Sequence, residues 1–449
     1  MDPAPQSSPF GASSSTTTTC AWVAPSLLNQ FKVNTLRLIL AIIGYHPKIA
    51  NMWIARDLLK FLHRSKATHL PVKILRGPRQ VGKTSLLDRL GTHKLVLFDD
   101  LGIRTLAQDN PSLFFEQFKG PLILDEATLA PEIFQEIKKR VDQERREKQN
   151  QKVAQPIDLW ITGSNQTLLQ EAVRESLAGR ANYFQLNTLS LHELKEAFSD
   201  LPSLETLFMR GGWPELYVSP SLNSVPYLND FIATFIEKDI AAAAGIEKKA
   251  AFSKVLQLTS ARVAQLMNAS DIAKNVGVDT TTVQAWISLL EQNGILRILQ
   301  PYFTNLNQRL IKTPKIYLED VGLAVRLQGW SEFQPLTLSP YFGNLLENLA
   351  FAEITRFFIN QGLQPEIYFV RSKEQVEVDF LVQLSNQRFI AVEVKTTPVD
   401  FTPSQLQLLD SLQLNIVEKW IVSSTGSVNF PHGKLVLHDQ IFYHLARLN

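Results

Sequence analysis

Cysteine is almost absent: Cys20 stands alone in 449 residues, which excludes an internal disulfide framework and any cysteine-based zinc site. A reducing, cytoplasmic setting is the simplest reading of that scarcity. Long apolar runs are missing as well. Leu36–Gly44 comes nearest and falls well short of the ~20 residues a membrane span needs, so no membrane partner is expected. Nor is there an excess of one charge, since 45 basic against 43 acidic residues leave a net +2. Any contact with nucleic acid therefore has to come from a local patch and not from the field of the whole molecule. What is present, 45% hydrophobic and 20% charged residues, is the mixture of a folded chain. Its length allows roughly two to four domains.

The most informative stretch is Gly77-Pro78-Arg79-Gln80-Val81-Gly82-Lys83-Thr84, followed by Ser85. An apolar run, Val72 to Leu75, precedes it and Ser85-Leu86-Leu87 opens a helix behind it, which is the strand, loop and helix context that a phosphate-binding loop requires. Gly77 and Gly82 let the backbone curl until its amides point at a phosphate, and the helix N-terminus adds to the attraction. In that reading Lys83 reaches the β- and γ-phosphates and Thr84 holds Mg²⁺.

Further strands are expected at Lys94 to Phe98, Gly120 to Leu124, Asp158 to Thr162 and Tyr183 to Leu186. The third strand, counting from the one before the loop, runs into Asp125-Glu126. Asp125 is placed to hold the metal and Glu126 to polarise the attacking water. The fourth ends in Gly163-Ser164-Asn165, a polar tip able to contact a γ-phosphate, although these are also ordinary turn residues. Arg180 stands just before the last strand, where an arginine can stabilise phosphoryl-transfer charge from its own subunit or from a neighbour in a homo-oligomer. A structural salt bridge is the alternative. Lys138 to Lys152 mixes both signs and reads as an exposed helix end and linker.

Toward the C-terminus, Ser270 to Ala273 opens a short helix, Gly277 marks a turn and Thr280 to Asn293 forms a second helix, with strand-like residues after Gly294 suggesting a wing. The second helix is poor in Arg and Lys, so packing without DNA contact competes with DNA binding. A final domain is expected from Thr313, with Pro314 to Asp320 as its first strand. A helix over Gly343 to Phe358 carries Glu347, and strands follow at Ile367 to Arg371, Glu377 to Val382 and Phe389 to Glu393. Asp379 lies on the second of these, and Glu393 and Lys395 share one face at the end of the third. Two carboxylates able to hold Mg²⁺, with a lysine to position water, are what metal-dependent phosphodiester cleavage uses, and Glu347 could add a ligand. Ordinary charged strand ends would give the same spacing.

Taken in order, Gly77 to Thr84, Leu122 to Glu126, Thr162-Gly163-Ser164, Leu177 to Arg180, Leu189-Ser190-Leu191 and Gly211-Gly212-Trp213-Pro214 resemble the AAA-type ATPases of bacteria and archaea that carry a C-terminal domain of unknown function. The likeness runs from about residue 52 to the end. It implies an α/β fold: an AAA+ P-loop module with strand order 5-1-4-3-2, a helical lid, a winged helix-turn-helix and a restriction-endonuclease-like C-terminal domain. The corresponding boundaries are 1–51 for a disordered or short-helical extension, helical around Leu36 to Ile43, then 52–200, 201–250, 251–312 and 313–449. The resemblance further implies ATP and Mg²⁺ as ligands, Ser164 or Asn165 as a first sensor, Arg180 as a finger-like arginine and Pro214 beside the adenine. The expected activity is ATP hydrolysis coupled to a DNA-directed, nuclease-like domain; the other reading is an ATP-driven switch that docks a protein partner.

Overall fold

The computed structural model describes residues 53–64, 70–150, 156–163, 165–302 and 313–449. The expected N-terminal extension with its short helix, Met52, Ser164 and the tip of the expected wing lie outside the described residues.

Five strands form the first sheet: β1 (Val72–Arg76), β2 (Lys94–Leu97), β3 (Leu122–Asp125), β4 (Leu159–Thr162) and β5 (Ala181–Gln185). All are parallel in the order β2-β3-β4-β1-β5, the expected 5-1-4-3-2 read from the other edge. The burial of each strand explains its place. β3 and β4 are covered on both faces and consist almost wholly of apolar side chains, as central parallel strands must be, whereas β2 and β5 keep partly exposed residues and take the edges. Helix α1 (Asp57–Arg64) precedes the sheet, and α2 (Lys83–Asp88) leaves the loop after β1. The charged segment after Lys138 is mostly not a linker: it belongs to α3 (Ile133–Gln149), which turns Ile133, Phe134, Ile137 and Val141 into the core and leaves most of its charges outside, Glu144 being buried beside Lys148. Helix α4 (Gln166–Ser176) joins β4 to β5, and α5 (Leu191–Ala197) follows β5 behind a capping box formed by Ser190 and Glu193.

Next comes a helical region that includes α6 (Pro214–Val218) and a π-helical turn, Ile232–Ile240. It continues into α7 (Ala269–Val276) and α8 (Thr280–Gln292), joined through Gly277 in the left-handed conformation. Strand β6 (Leu296–Leu299) pairs antiparallel with β7 (Lys315–Leu318). The strand expected over 314–320 thus pairs with β6 and takes no place in the C-terminal sheet, although Lys315 on it reaches β9.

That sheet contains β8 (Ile367–Arg371), β9 (Glu377–Gln383), β10 (Arg388–Val394), β11 (Asn415–Ser423) and β12 (Lys434–Leu437), ordered β12-β11-β10-β9-β8. β8, β9 and β10 are antiparallel neighbours, while β11 and β12 run parallel to β10. Helix α9 (Val321–Leu327) follows β7, and the long α10 (Phe342–Ile359) is buried along nearly its whole length.

A buried polar seam joins these parts. Asp320, 2% exposed, accepts from Gly212 N and Thr188 Oγ1 at 2.8 Å each and from Leu323 N at 3.0 Å. Arg356 on α10 donates to Thr188 Oγ1 at 2.6 Å, to the Glu319 carbonyl at 2.7 Å and to Glu353 at 2.6 Å. Gly211 sits so close to Asp320 that any Cβ there would run into its carboxylate, which accounts for the glycine in a way that a helix stop alone does not.

Candidate functional site

The candidate residues gather in two constellations, one at each sheet. At the first, β1 delivers the chain into the Gly77–Thr84 loop at the C-terminal edge of the parallel strands, the edge at which such sheets place ligands. Gly77 lies with φ 144° against the Leu186 carbonyl, with no room for a Cβ. Gly82 takes a left-handed conformation just ahead of α2. Lys83 is buried, and its ammonium donates to the carbonyls of Gly77 (2.9 Å) and Pro78 (2.8 Å), so the loop folds back on its own lysine. Burial lowers the Lys83 pKa to about 8, although Glu126 and Asp125 oppose the shift. Thr84 Oγ1 donates to Asp125 Oδ2 at 2.8 Å, bringing the hydroxyl and the strand-end carboxylate together as expected. Burial pushes the Asp125 pKa up from its ordinary value.

Glu126 turns away from the strand with φ 56°, a strained conformation for a residue with a side chain. It lines a cleft of about 460 Å³ together with Arg79, Thr128, Asn165, Phe235 and Asp239. The π-helical turn 232–240 thus roofs the loop, and Arg79 is tied to it by a 2.5 Å ion pair with Asp239. Asn165 reaches the cleft but spends its Oδ1 as the cap of α4, accepting from Leu168 N. Gln166, next in sequence, belongs to no motif. Its buried amide donates to the carbonyls of Gly77 (3.1 Å) and Gly163 (2.7 Å), pinning the start of the loop to the tip of β4.

Two expected residues stand elsewhere. Arg180 makes a two-pronged ion pair with Asp142 of α3 (2.8 and 2.9 Å). It precedes β5, whose Ala181 pairs with Val72 at the start of β1, so it occupies the opposite edge of the sheet from the loop, about 16 Å of strand away. Within one chain it does not reach the loop, which corrects the own-subunit form of the arginine reading. Pro214 opens α6 as its first residue; its neighbour Trp213, not Pro214, shares a cavity wall with Pro78.

The second constellation lies where β9, β10 and α10 meet β7. Asp379 accepts from Val394 N at 2.8 Å. Lys395 donates to Glu393 Oε1 at 2.6 Å, while Glu393 Oε2 is buried with no hydrogen bond among the described residues. Gln405 stands nearby, but its Nε2 is committed to the Glu377 carbonyl at 2.9 Å. Glu347 is bound by two groups from β7, Lys315 at 2.9 Å and the Tyr317 hydroxyl at 2.5 Å. The Lys315 ammonium also meets Glu377 at 2.5 Å and approaches Asp379 at 3.8 Å. Burial, reinforced by Asp379, raises the pKa of Glu347 to about 8 and that of Glu393 to about 7. Burial alone would lower the Lys315 pKa, but Glu347, Asp379 and Glu377 together drive it up. Asp379, Glu393, Lys395 and Glu347 are therefore neighbours, with Lys315, Tyr317 and Glu377 as members that had not been singled out. Lys315 and Tyr317 share a strand face by simple alternation, a signal that points to the centre only once the fold brings β7 beside β9. Among the described residues no group of three or more potential ligands is arranged to hold a metal ion.

Comparison with known proteins finds three family matches along the chain. Residues 69–195 match the AAA domain family, 201–334 a domain of unknown function (DUF8612) and 342–439 another (DUF4143). Uncharacterized proteins of Mycobacterium bovis and Mycobacterium tuberculosis are each 27% identical over 363 residues, covering 80% of this chain and 77% of theirs. One of Haemophilus influenzae is 24% identical over 242 residues, 51% of this chain and 57% of its own. Among solved structures, a Walker-type ATPase of Pyrococcus abyssi aligns with TM-score 0.39 and 17% identity over 61% of this chain and 95% of that one. The ORC2 protein of Aeropyrum pernix aligns with TM-score 0.28 and 14% identity over 60% and 90%. Both scores lie under 0.5, so neither likeness says anything about chemistry in this chain. The 69–195 match, with the loop and sheet described above, makes this part a P-loop AAA-type ATPase domain.

Proposed function

We propose that the chain binds and hydrolyses ATP at the Gly77–Ser85 loop and couples that cycle to a DNA-directed, nuclease-like C-terminal domain. The observation that carries the ATPase half is the meeting of Thr84 and Asp125 at the mouth of the loop, with Lys83 beside them and Glu126 facing the cleft. A hydroxyl and one carboxylate are the sparse protein ligation that suits Mg²⁺, whose remaining positions go to water and nucleotide phosphates. Bound there, Mg²⁺ would supply charge neutralisation at the transferring phosphoryl group. Lys83 releases the Gly77 and Pro78 carbonyls to meet the phosphates, and Gln166 keeps the Gly77 carbonyl bonded when it does. Glu126 takes the proton of the attacking water. Asn165, and Ser164 beside it, are the sensor candidates. Arg180, if it acts on nucleotide, acts on a neighbouring copy's and must first leave Asp142.

In the C-terminal domain Asp379, Glu393 and Lys395 are the candidates for cleavage chemistry. The 269–299 segment with β7 is read as a winged helix-turn-helix. Its second helix ends at Asn293-Gly294 with Gly294 against Pro78 of the loop, which favours a packing role for it over DNA contact. A second reading, an ATP-driven switch that docks a protein partner without cleavage, is favoured by one observation: Glu347 is already held by Lys315 and Tyr317. Mg²⁺-dependent cleavage of plasmid or branched DNA that disappears in Glu393→Ala supports the nuclease reading; no cleavage with or without ATP leaves the switch. Helices long and apolar enough to cross a membrane are absent among the described residues.

A further inference from the structure

The C-terminal centre contains a cation of its own. Lys315 is 2% exposed and comes from a strand that pairs outside the C-terminal sheet, yet its ammonium stands among Glu347 (2.9 Å), Glu377 (2.5 Å) and Asp379 (3.8 Å). Tyr317, two residues on, adds a hydroxyl to the same Glu347 oxygen. This arrangement disagrees with a divalent ion resting at the centre. Glu347, the ligand that a helix would add to Asp379 and Glu393, has its Oε1 taken by two donors, and no three-ligand group is assembled. The ammonium beside Asp379 would also repel an entering ion across a distance at which unit charges in a protein interior interact strongly. The centre is nonetheless not saturated. Glu393 accepts from Lys395 through Oε1, while its buried Oε2 has the Gln405 side chain near it but no bond of good geometry, so that oxygen is the least firmly held acceptor of the centre.

We propose that Lys315 is the resident cation of the C-terminal centre: it takes the place of a divalent ion between Glu347 and Asp379, so a metal enters at Asp379 and Glu393 only when β7 withdraws the lysine. Three carboxyl groups, of which Asp379 is buried and Glu347 and Glu377 are partly so, crowd one ammonium; Arg371 shares the charge of Glu377 at 3.0 Å, and Tyr317 and Val394 N supply hydrogen bonds to Glu347 and Asp379. Withdrawal would expose Glu347 and Asp379 together with the second Glu393 oxygen, giving the three-carboxylate set that is now absent. The centre then has two forms, one closed by lysine and one open to metal, and Lys315 is a positioning residue whose removal favours the second. This proposal refines the nuclease-like reading but does not depend on ATP hydrolysis or DNA cleavage, since it is tested by metal binding alone.

The experiment uses the full chain without nucleotide and Mn²⁺ as the probe, with calorimetry and the thermal midpoint as readouts. Wild type and Lys315→Arg should show no Mn²⁺ binding that depends on Glu393. Lys315→Met and Lys315→Gln should each gain one Mn²⁺ site and a rise in Tm of a few degrees on saturation. Adding Glu393→Gln to either should abolish both, while Glu126→Gln, at the other sheet, should leave them unchanged. If the neutral variants lose cooperative melting, Mn²⁺ should restore it. Glu393-dependent Mn²⁺ binding in wild type overturns the proposal. So does a folded Lys315→Met that gains no site, or an unfolded one that Mn²⁺ fails to restore. DNA cleavage does not enter the result, so the nuclease reading could fail while this proposal stands, and the reverse.

Discussion

Raising the pH should strip the nucleotide site of its affinity through Lys83. Lys83 is 8% exposed, and its ammonium donates to the carbonyls of Gly77 and Pro78 at 2.9 and 2.8 Å, with Glu126 and Asp125 too weakly coupled to offset burial. Its pKa consequently falls from 10.5 to about 8. Phosphates bind the charged form, so affinity is fully present below that value and is lost as pH rises through it. If the neutral form contributes no binding, Kd should rise about tenfold between pH 7 and pH 9, or about 1.4 kcal/mol. Lys83→Arg supplies the control. Its guanidinium stays charged throughout, and the nucleotide ionises identically in both proteins, so its Kd should be nearly flat over the same range. The assay is equilibrium titration of a fluorescent ATP analogue with Mg²⁺ at constant ionic strength. A flat wild-type curve, or equal slopes in wild type and Lys83→Arg, would refute the reasoning by showing that the lysine is not near its titration point.

Glu126→Gln should leave nucleotide binding within a few-fold of wild type and slow hydrolysis by about 10²-fold or more, measured as phosphate release; wild-type turnover would remove Glu126 from the role of base. Arg180→Ala should lower ATPase activity only in assemblies, and mixing it with Glu126→Gln should restore part of the activity; no rescue, with turnover linear in protein concentration, assigns Arg180 to its Asp142 pair alone. Asp320→Ala leaves Gly212 N, Leu323 N and Thr188 Oγ1 buried without their acceptor and takes the nearby carboxylate from Arg356, which should cost about 3–5 kcal/mol in urea unfolding; a loss under about 1 kcal/mol would mean that water enters the seam.

What could be read from the sequence was local or periodic. The five strands of the first sheet are short apolar runs at regular βα spacing, and the loop and Asp125-Glu126 are each contiguous, so the strands and the first constellation were within reach, while the strand order came only with the family resemblance. Errors gathered where the deciding partner is distant in the chain. The mixed-sign segment after Lys138 looked like solvated helix end and linker because its charges are conspicuous, whereas Ile133, Phe134, Ile137 and Val141 tie the helix to the core, and Asp142 on the same helix claims Arg180. β7 reads as a strand in any register; that it pairs with β6 while sending Lys315 toward β9 depends on two non-local contacts that no periodicity encodes. Gln166 fell in a helix start whose N-cap, Asn165, drew the attention, though the next side chain is the one that holds the loop.

The short span from Lys315 to Asp320 explains why the two constellations should influence each other. Strand alternation sends Lys315 and Tyr317 to Glu347, while Glu319, two residues further, accepts from Asn187 at 3.3 Å and from Arg297 at 2.9 Å, and Asp320 holds Thr188 and Gly212. Asn187 in turn gives its carbonyl to Arg56, which donates to the Val81 carbonyl inside the phosphate loop at 2.8 Å. From loop to carboxylate centre every step is thus a buried or part-buried hydrogen bond or a covalent stretch of chain. Such continuity permits coupling without proving it, because coupling also needs two arrangements that each ligand favours differently. The lysine-closed and metal-open forms supply that pair at one end. If a nucleotide moves the Val81 carbonyl when it takes Lys83 from Pro78 and Gly77, it biases the same pair from the other end. Thermodynamic linkage then requires reciprocity: whatever factor the nucleotide adds to Mn²⁺ affinity at Asp379 and Glu393, Mn²⁺ there must add to nucleotide affinity at the loop.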